Sequence, residues 1–177
     1  MIIGQPGAGK STMARAIGEI AHLPVFHMDH VNWMPGWRAR DADAKAAMVA
    51  EIHALDRWVF EGGHSRSWPD RLARADTLIW LDLPVATRAA RILRRWVDNR
   101  GRTRADLPDD CPERLDPEFL RYVWATRRSG WARAADLYAR ARPGQRTVHL
   151  RSGRAARGWL HALRFAVRHR RLDQGDA

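Results

Sequence analysis

The segment Gly4-Gln5-Pro6-Gly7-Ala8-Gly9-Lys10-Ser11-Thr12 follows the apolar run Met1-Ile2-Ile3. It fits G-x-x-x-x-G-K-[ST] without mismatch, and each residue type in that spacing has a chemical reason. Glycines let the backbone wrap until successive N–H groups face one anion. A helix beginning near Lys10 directs its positive end at the same anion. The Lys10 ammonium suits the β- and γ-phosphates of a nucleoside triphosphate, and the Ser11 hydroxyl suits a magnesium ion. Gly4, Pro6, Gly7, Ala8, Gly9, Lys10, Ser11 and Thr12 are therefore the expected cradle, with ATP and Mg²⁺ as its cofactors. Of the 31 basic residues only Lys10 and Lys45 are lysine. A coding bias that nearly removed lysine has kept one where triphosphate chemistry requires it.

A magnesium-side acid is expected at the end of a neighbouring buried strand. Glu61 follows Trp58–Phe60 and has Gly62 and Gly63 beside it, which leaves room for a ligand. Asp82 follows Leu78–Leu81 but precedes Pro84, and it equally suits a helix cap. Glu61 is preferred, although aspartate is the commoner ligand. Asp29 ends another short strand, at the sheet edge where open α/β folds bind ligands. The alternative for Asp29 is a loop carboxylate bonding local amides. Trp33 and Trp37 either wall an acceptor pocket by stacking or simply pack their loop. Arg71 is a further candidate, for an acceptor phosphate or carboxylate.

Phosphoryl transfer also needs cations around the moving group and a means of excluding water. Arg88, Arg91, Arg94 and Arg95 share one predicted helix, with positions 88, 91 and 95 on one face. Arg102 and Arg104 lie in the loop beyond it, and Arg127 and Arg128 follow farther on. Arg91, Arg95, Arg102 and Arg104 are the candidates for stabilising the transferring phosphoryl group. A solvated helix face would look the same. The histidines show no metal-ligand spacing, and the lone Cys111 excludes a cysteine zinc site.

These residues need elements to position them. Met1–Ile3, Pro24–His27, Trp58–Phe60, Leu78–Leu81 and Thr147–Leu150 read as five strands. Helices are expected over Ser11–Ala21, from Asp41 or Asp43 to about Leu55, and from a Ser67/Pro69 cap to Ala75. Further helices follow over Val85–Val97, from Asp116-Pro117-Glu118, over Trp131–Ala141 and over Ala155–His169, with a break at Ser129-Gly130. Residues around Trp33–Trp37 and residues 99–115 read as loops. The alternation predicts a three-layer α/β fold, a parallel sheet with helices on both faces. Three apolar residues make a short first strand, unless the strand begins upstream of Met1.

The 177 residues suit one domain, with residues 30–57 as an acceptor-side insert and residues 98–128 as an arginine-rich lid. A single cysteine gives no internal disulfide, no apolar run spans a bilayer, and the N-terminus leaves no room for a signal core. A cytoplasmic monomer without membrane contact is expected. Residues 1–87 carry nine Lys+Arg against ten Asp+Glu, and residues 88–177 carry twenty-two against ten. That asymmetry raises non-specific nucleic acid as a possible partner, although no helix-turn-helix or zinc-finger signature accompanies it.

Several short pieces fall in one order: Gly4–Thr12, His27-Met28-Asp29, Trp33-x-x-Gly36-Trp37, Glu61-Gly62, Ala75-Asp76-Thr77 with Leu81-Asp82-Leu83-Pro84, Arg100-Gly101-x-Thr103-Arg104 and Cys111-Pro112-Glu113. In that order they resemble the bacterial DNA topology modulation proteins, adenylate-kinase-like P-loop ATPases, over about residues 1–165. The resemblance implies a five-stranded nucleoside-monophosphate-kinase fold, ATP with Mg²⁺, and a lid whose arginines clamp phosphates. In related small-molecule kinases an aspartate at the position of Asp29 contacts the acceptor hydroxyl and takes its proton. One departure stands out: the family has Asp-Gly-Asn-Tyr where this chain has Glu61-Gly62-Gly63-His64.

The expected function is a kinase passing the ATP γ-phosphate to a small-molecule or nucleotide acceptor. The rivals are an ATP-binding, DNA-associated protein acting through its basic second half, and a nucleotide-binding regulator with little turnover.

Overall fold

Three apolar runs, Met1–Ile3, Val59-Phe60 and Leu78–Leu81, form the centre of the structure, and all are buried. The computed structural model describes residues 1–114 and 116–173. Position 115 of the expected lid and the last four residues of the expected domain lie outside the described residues.

In chain order, β1 (Ile2–Gly4) leads through the glycine loop into α1 (Lys10–Ala21). Next come β2 (Val25–His27), a short α2 (Met28–Asn32) and the strands β3 (Trp33–Met34) and β4 (Arg38–Ala39). Then follow α3 (Ala42–Ala54), β5 (Val59–Glu61), α4 (Trp68–Arg74) and β6 (Thr77–Leu81). The chain continues with α5 (Val85–Asp98), α6 (Pro117–Ala125) and α7 (Arg127–Ala139), and ends its described part with β7 (Arg146–Leu150) and α8 (Gly153–Asp173).

Five strands pair in the order β2-β5-β1-β6-β7, every pairing parallel. The runs are apolar throughout because alternate residues enter opposite layers. Ile2, Ile79 and Leu81 pack with α1 residues Met13, Ala14 and Ile17, and α8 covers them through Trp159, Leu160 and Leu163. Ile3, Leu78 and Trp80 face the other way, onto Leu72 of α4 and Ala134 and Leu137 of α7. A third cluster joins Phe60 to Met28 and Val31 of α2 and to Val49 and Ile52 of α3. This is the α/β class expected, with the sheet's C-terminal edge left open for a ligand.

Local chemistry explains the element ends. Asp41 caps α3 by accepting from Ala44 N–H at 2.8 Å, and Asp116 caps α6 by accepting from Glu118 N–H at 2.8 Å. Two local readings need correction. The Trp33–Trp37 region is a small antiparallel hairpin, β3 with β4, rather than a plain loop. The helix break lies at Thr126, and Ser129-Gly130 is inside α7. Gly130 serves close approach instead of a break: a Cβ there would stand 2.6 Å from Gln5 Nε2. That amide donates to Thr126 O and Arg127 O, both at 3.0 Å, so the glycine loop itself satisfies carbonyls at the helix junction.

Candidate functional site

The glycine loop wraps the way its composition requires. Gly7 has φ 79°, and a Cβ on it would lie 2.5 Å from the Arg88 carbonyl oxygen, so only glycine fits. Gly9 precedes α1 without a side-chain cap, and no acid occupies the first turn, which leaves the helix N-terminus facing the cleft. Arginines of α5 support the loop from outside. Arg88, 2% exposed, donates to Leu83 O at 3.1 Å and Pro6 O at 3.2 Å. Arg91 donates to Ala8 O at 3.0 Å.

A cleft of about 1250 Å³ opens at this sheet edge. All the residues of the expected cradle line it: Gly4, Pro6, Gly7, Ala8, Gly9, Lys10, Ser11 and Thr12. Asp29, Trp33, Trp37, Glu61, Arg91, Arg95 and Arg104 line it as well. Ser11 Oγ donates to Glu61 Oε1 at 3.0 Å, and His27 Nδ1 lies 2.8 Å from the same oxygen. Burial pushes the Glu61 carboxyl up, but the His27 hydrogen bond, the Lys10 charge and Ser11 outweigh it and hold it below the usual range. Asp82, the alternative acid, is engaged elsewhere, accepting from Trp131 Nε1 at 3.2 Å and paired with His149 Nε2 at 3.0 Å.

Asp29 lies in the first turn of α2, beyond the end of β2 rather than on the strand end where it was expected, and it lines the same cleft as Glu61. Its pKa is raised, first by burial and then by the Glu61 charge, with Lys10 and Arg104 opposing. Trp33 and Trp37 meet edge to face at 5.5 Å on the cleft wall. The donor set suits Mg²⁺: a hydroxyl and a carboxylate beside a phosphate cradle, with water completing the shell, are its usual ligands. Among the described residues no group of three or more His, Cys, Asp or Glu gathers as a metal cage.

Two sequence candidates stand outside the cleft. Arg71 is fully buried beneath it, donating to Gly62 O at 3.3 Å and Ser67 Oγ at 3.0 Å, with its guanidinium 3.7 Å over the Phe60 ring. Burial holds its pKa down to about 10, against the pull of Glu61. Arg102 is exposed and absent from the cleft wall. Arg95 and Arg104, by contrast, both bond Glu113, and Arg104 also bonds Asp106. Asp106 and Gln5 had no role in the sequence reading. Asp106 sits two residues from Arg104 in a loop without periodicity, and the fold also brings it to Arg15 of α1, at 3.4 Å. His27 could have been found from strand pairing, since β2 sets it opposite Glu61.

No protein-family model matches the chain, and no curated protein does. A solved structure does match in fold: the shikimate kinase from Acinetobacter baumannii in complex with shikimate, at 15% identity and a TM-score of 0.51. The match covers 97% of this chain and 93% of that one, so the likeness of fold extends over the whole chain. The resemblance to DNA topology modulation proteins rests on the short motifs alone.

Proposed function

We propose that this chain is an ATP-dependent phosphotransferase that phosphorylates a hydroxyl of a small molecule. The observation that carries this reading is the convergence on one cleft of the Lys10 loop, the Ser11–Glu61 pair at 3.0 Å and the raised carboxyl of Asp29. The shared fold with a small-molecule kinase supports it, and the ordered motifs support kinship with the DNA topology modulation proteins.

In this mechanism the loop amides, the α1 N-terminus and Lys10 bind the triphosphate. Ser11 and Glu61 would hold Mg²⁺, which would supply positive charge against the phosphate oxygens. His27 orients Glu61 through the shared oxygen. Asp29 accepts the proton of the acceptor hydroxyl as its oxygen attacks the γ-phosphorus, and ADP leaves. A carboxylate with a raised pKa is a better base for that step than an ordinary aspartate. Arg95 and Arg104 stabilise charge on the transferring group. Trp33 and Trp37 wall the acceptor, and Arg71 acts indirectly, by holding the Gly62 carbonyl.

The test is Lys10→Ala in direct ATP titration, with circular dichroism to verify folding. ATP binding is expected to vanish in the folded variant, and near-normal affinity would overturn the cradle assignment. An acceptor screen with Mg-ATP, following ADP release, then identifies the substrate.

A further inference from the structure

The Cys111-Pro112-Glu113 motif has no role in the mechanism above, yet it is among the most tightly held segments near the cleft. Cys111 is 0% exposed and Glu113 7%. On one side this segment completes the β3–β4 hairpin. Trp37 N–H donates to Cys111 Sγ at 3.3 Å, and the thiol donates to Met34 O at 3.6 Å. Gly36 N–H donates to Asp110 O at 3.1 Å, and Trp37 Nε1 donates to Pro112 O at 3.2 Å. A two-stranded hairpin is marginal alone, and Trp37 has a φ of 59°, unfavourable for a bulky residue. Docking on residues 110–112 satisfies the turn that strain would otherwise open.

On its other side the same segment holds the arginines. Glu113 Oε1 accepts from Arg95 Nε at 3.0 Å and lies 2.9 Å from its Nη2, while Glu113 Oε2 accepts from Arg104 Nε. Glu113 takes the Nε–Nη2 edge of Arg95, while Arg104 is shared between Glu113 at Nε and Asp106 at Nη1; among the described residues Nη1 of Arg95 and Nη2 of Arg104 have no protein partner. The hairpin is in turn tied to the Asp29 helix, because Arg40 N–H donates to Asn32 O at 2.9 Å and Arg40 Nε to Val31 O at 3.1 Å. A continuous path therefore runs from the acceptor wall to the phosphate-facing arginines.

We propose that Cys111-Pro112-Glu113 is a coupling joint: Glu113 is the positioning residue for Arg95 and Arg104, and Trp37 sets where Glu113 stands. The acceptor-side hairpin and the arginine-bearing loop then move as one body, and the arginines reach the γ-phosphate only while the hairpin is docked. This inference rests on the proposed kinase reading for its nucleotide end, but not for its joint.

Cys111 is the single cysteine of the chain, so its reaction with N-ethylmaleimide, followed by mass, reports opening of the joint without any substrate. Glu113→Gln alters the arginine side and touches neither Trp37 nor the thiol by side chain. It is expected to label at least about tenfold faster than wild type, as a local opening that has lost charged bonds. Trp37→Phe keeps a ring but loses the indole donor. It is expected to reduce the preference for ATP over ADP by roughly three- to tenfold at unchanged ADP affinity, the scale of one charged hydrogen bond. A merely structural tryptophan would weaken both nucleotides together. Circular dichroism accompanies both variants. Wild-type labelling in Glu113→Gln, or an unchanged ATP-to-ADP preference in Trp37→Phe, would overturn the coupling. Failure of the kinase reading looks different: the wild-type chain would bind no nucleotide, while the labelling arm would still decide whether the joint exists.

Discussion

Residue types near the cleft divide into groups that can act on a substrate and groups that hold those groups in place. On the proposed reading Asp29 belongs to the first. Asp29→Asn should leave ATP affinity near wild type and abolish transfer to the acceptor, because an amide cannot take the hydroxyl proton. Turnover at the wild-type rate, with ATP binding titrated beside it, would reduce Asp29 to a loop residue. Arg104→Ala is the matched control, expected to lower kcat by roughly 10³-fold, the scale of an arginine acting on transition-state charge. Arg71 belongs to the second group, since it is 0% exposed. Arg71→Ala should cost about 2–4 kcal/mol through the cavity and the lost bonds to Gly62 and Ser67. Arg71→Met, which keeps most of the volume, should recover part of that in denaturant midpoints. A stable Arg71→Ala variant that has lost only acceptor affinity would restore the direct contact first expected of this arginine.

At the scale of elements, α5 braces the glycine loop. Its first turns carry Arg88 and Arg91 onto the outside of the glycine loop, at Pro6 O and Ala8 O. On the proposed reading, carbonyls engaged from outside help hold the loop in the wrapped shape an anion requires. Arg88→Ala should therefore weaken ATP binding although it touches no substrate, and should lower stability by about 1.5–3 kcal/mol for the lost charged bonds. Calorimetric titration and a urea series separate the two effects. Unchanged ATP affinity in Arg88→Ala would show that the loop keeps its shape unaided. The Gln5 amide supports the loop's other flank by bonding the α6–α7 junction.

For the molecule as a whole, the arginine-bearing loop makes stability depend on pH. Burial pushes the Asp106 carboxyl up, but the Arg104 charge, the Ser11 hydroxyl and Arg15 outweigh it and hold it below the ordinary value. The unfolded chain then binds the proton more readily. The contribution to stability is thus present above the unfolded pKa of about 3.9 and is lost as pH falls through the lower folded value. Urea midpoints should drop on acidification in the wild type and drop less steeply in Asp106→Asn. Equal slopes would show that the pair contributes nothing to folding. Part of the positive charge of the second half props the glycine loop from α5, and part lines the cleft at Arg95 and Arg104. No described helix is long and apolar enough to cross a membrane.

The parallel sheet and the cradle were legible from residues 1–12 and the apolar runs, because a glycine-lysine loop and strands buried on both faces are written in consecutive residues. Glu61 was legible as a strand-end acid for the same reason, whereas Asp29, read as another, lies in the first turn of α2. Local pattern could not decide between Glu61 and Asp82, because the difference lies in their neighbours: one meets Ser11 and His27, the other Trp131 and His149. Nor could it tell that Arg71 turns inward while Arg104 faces the cleft, since composition gives both the same charge. The helix break was misplaced because Gly130 answers to Gln5, a residue 125 positions earlier. The Trp37–Cys111 and Arg15–Asp106 contacts likewise join segments far apart in the chain. Sequence by itself determined the elements that bond within a few residues. Tertiary structure alone decided which side chains share a charge, a carbonyl or a wall, because those pairings depend on how distant segments pack.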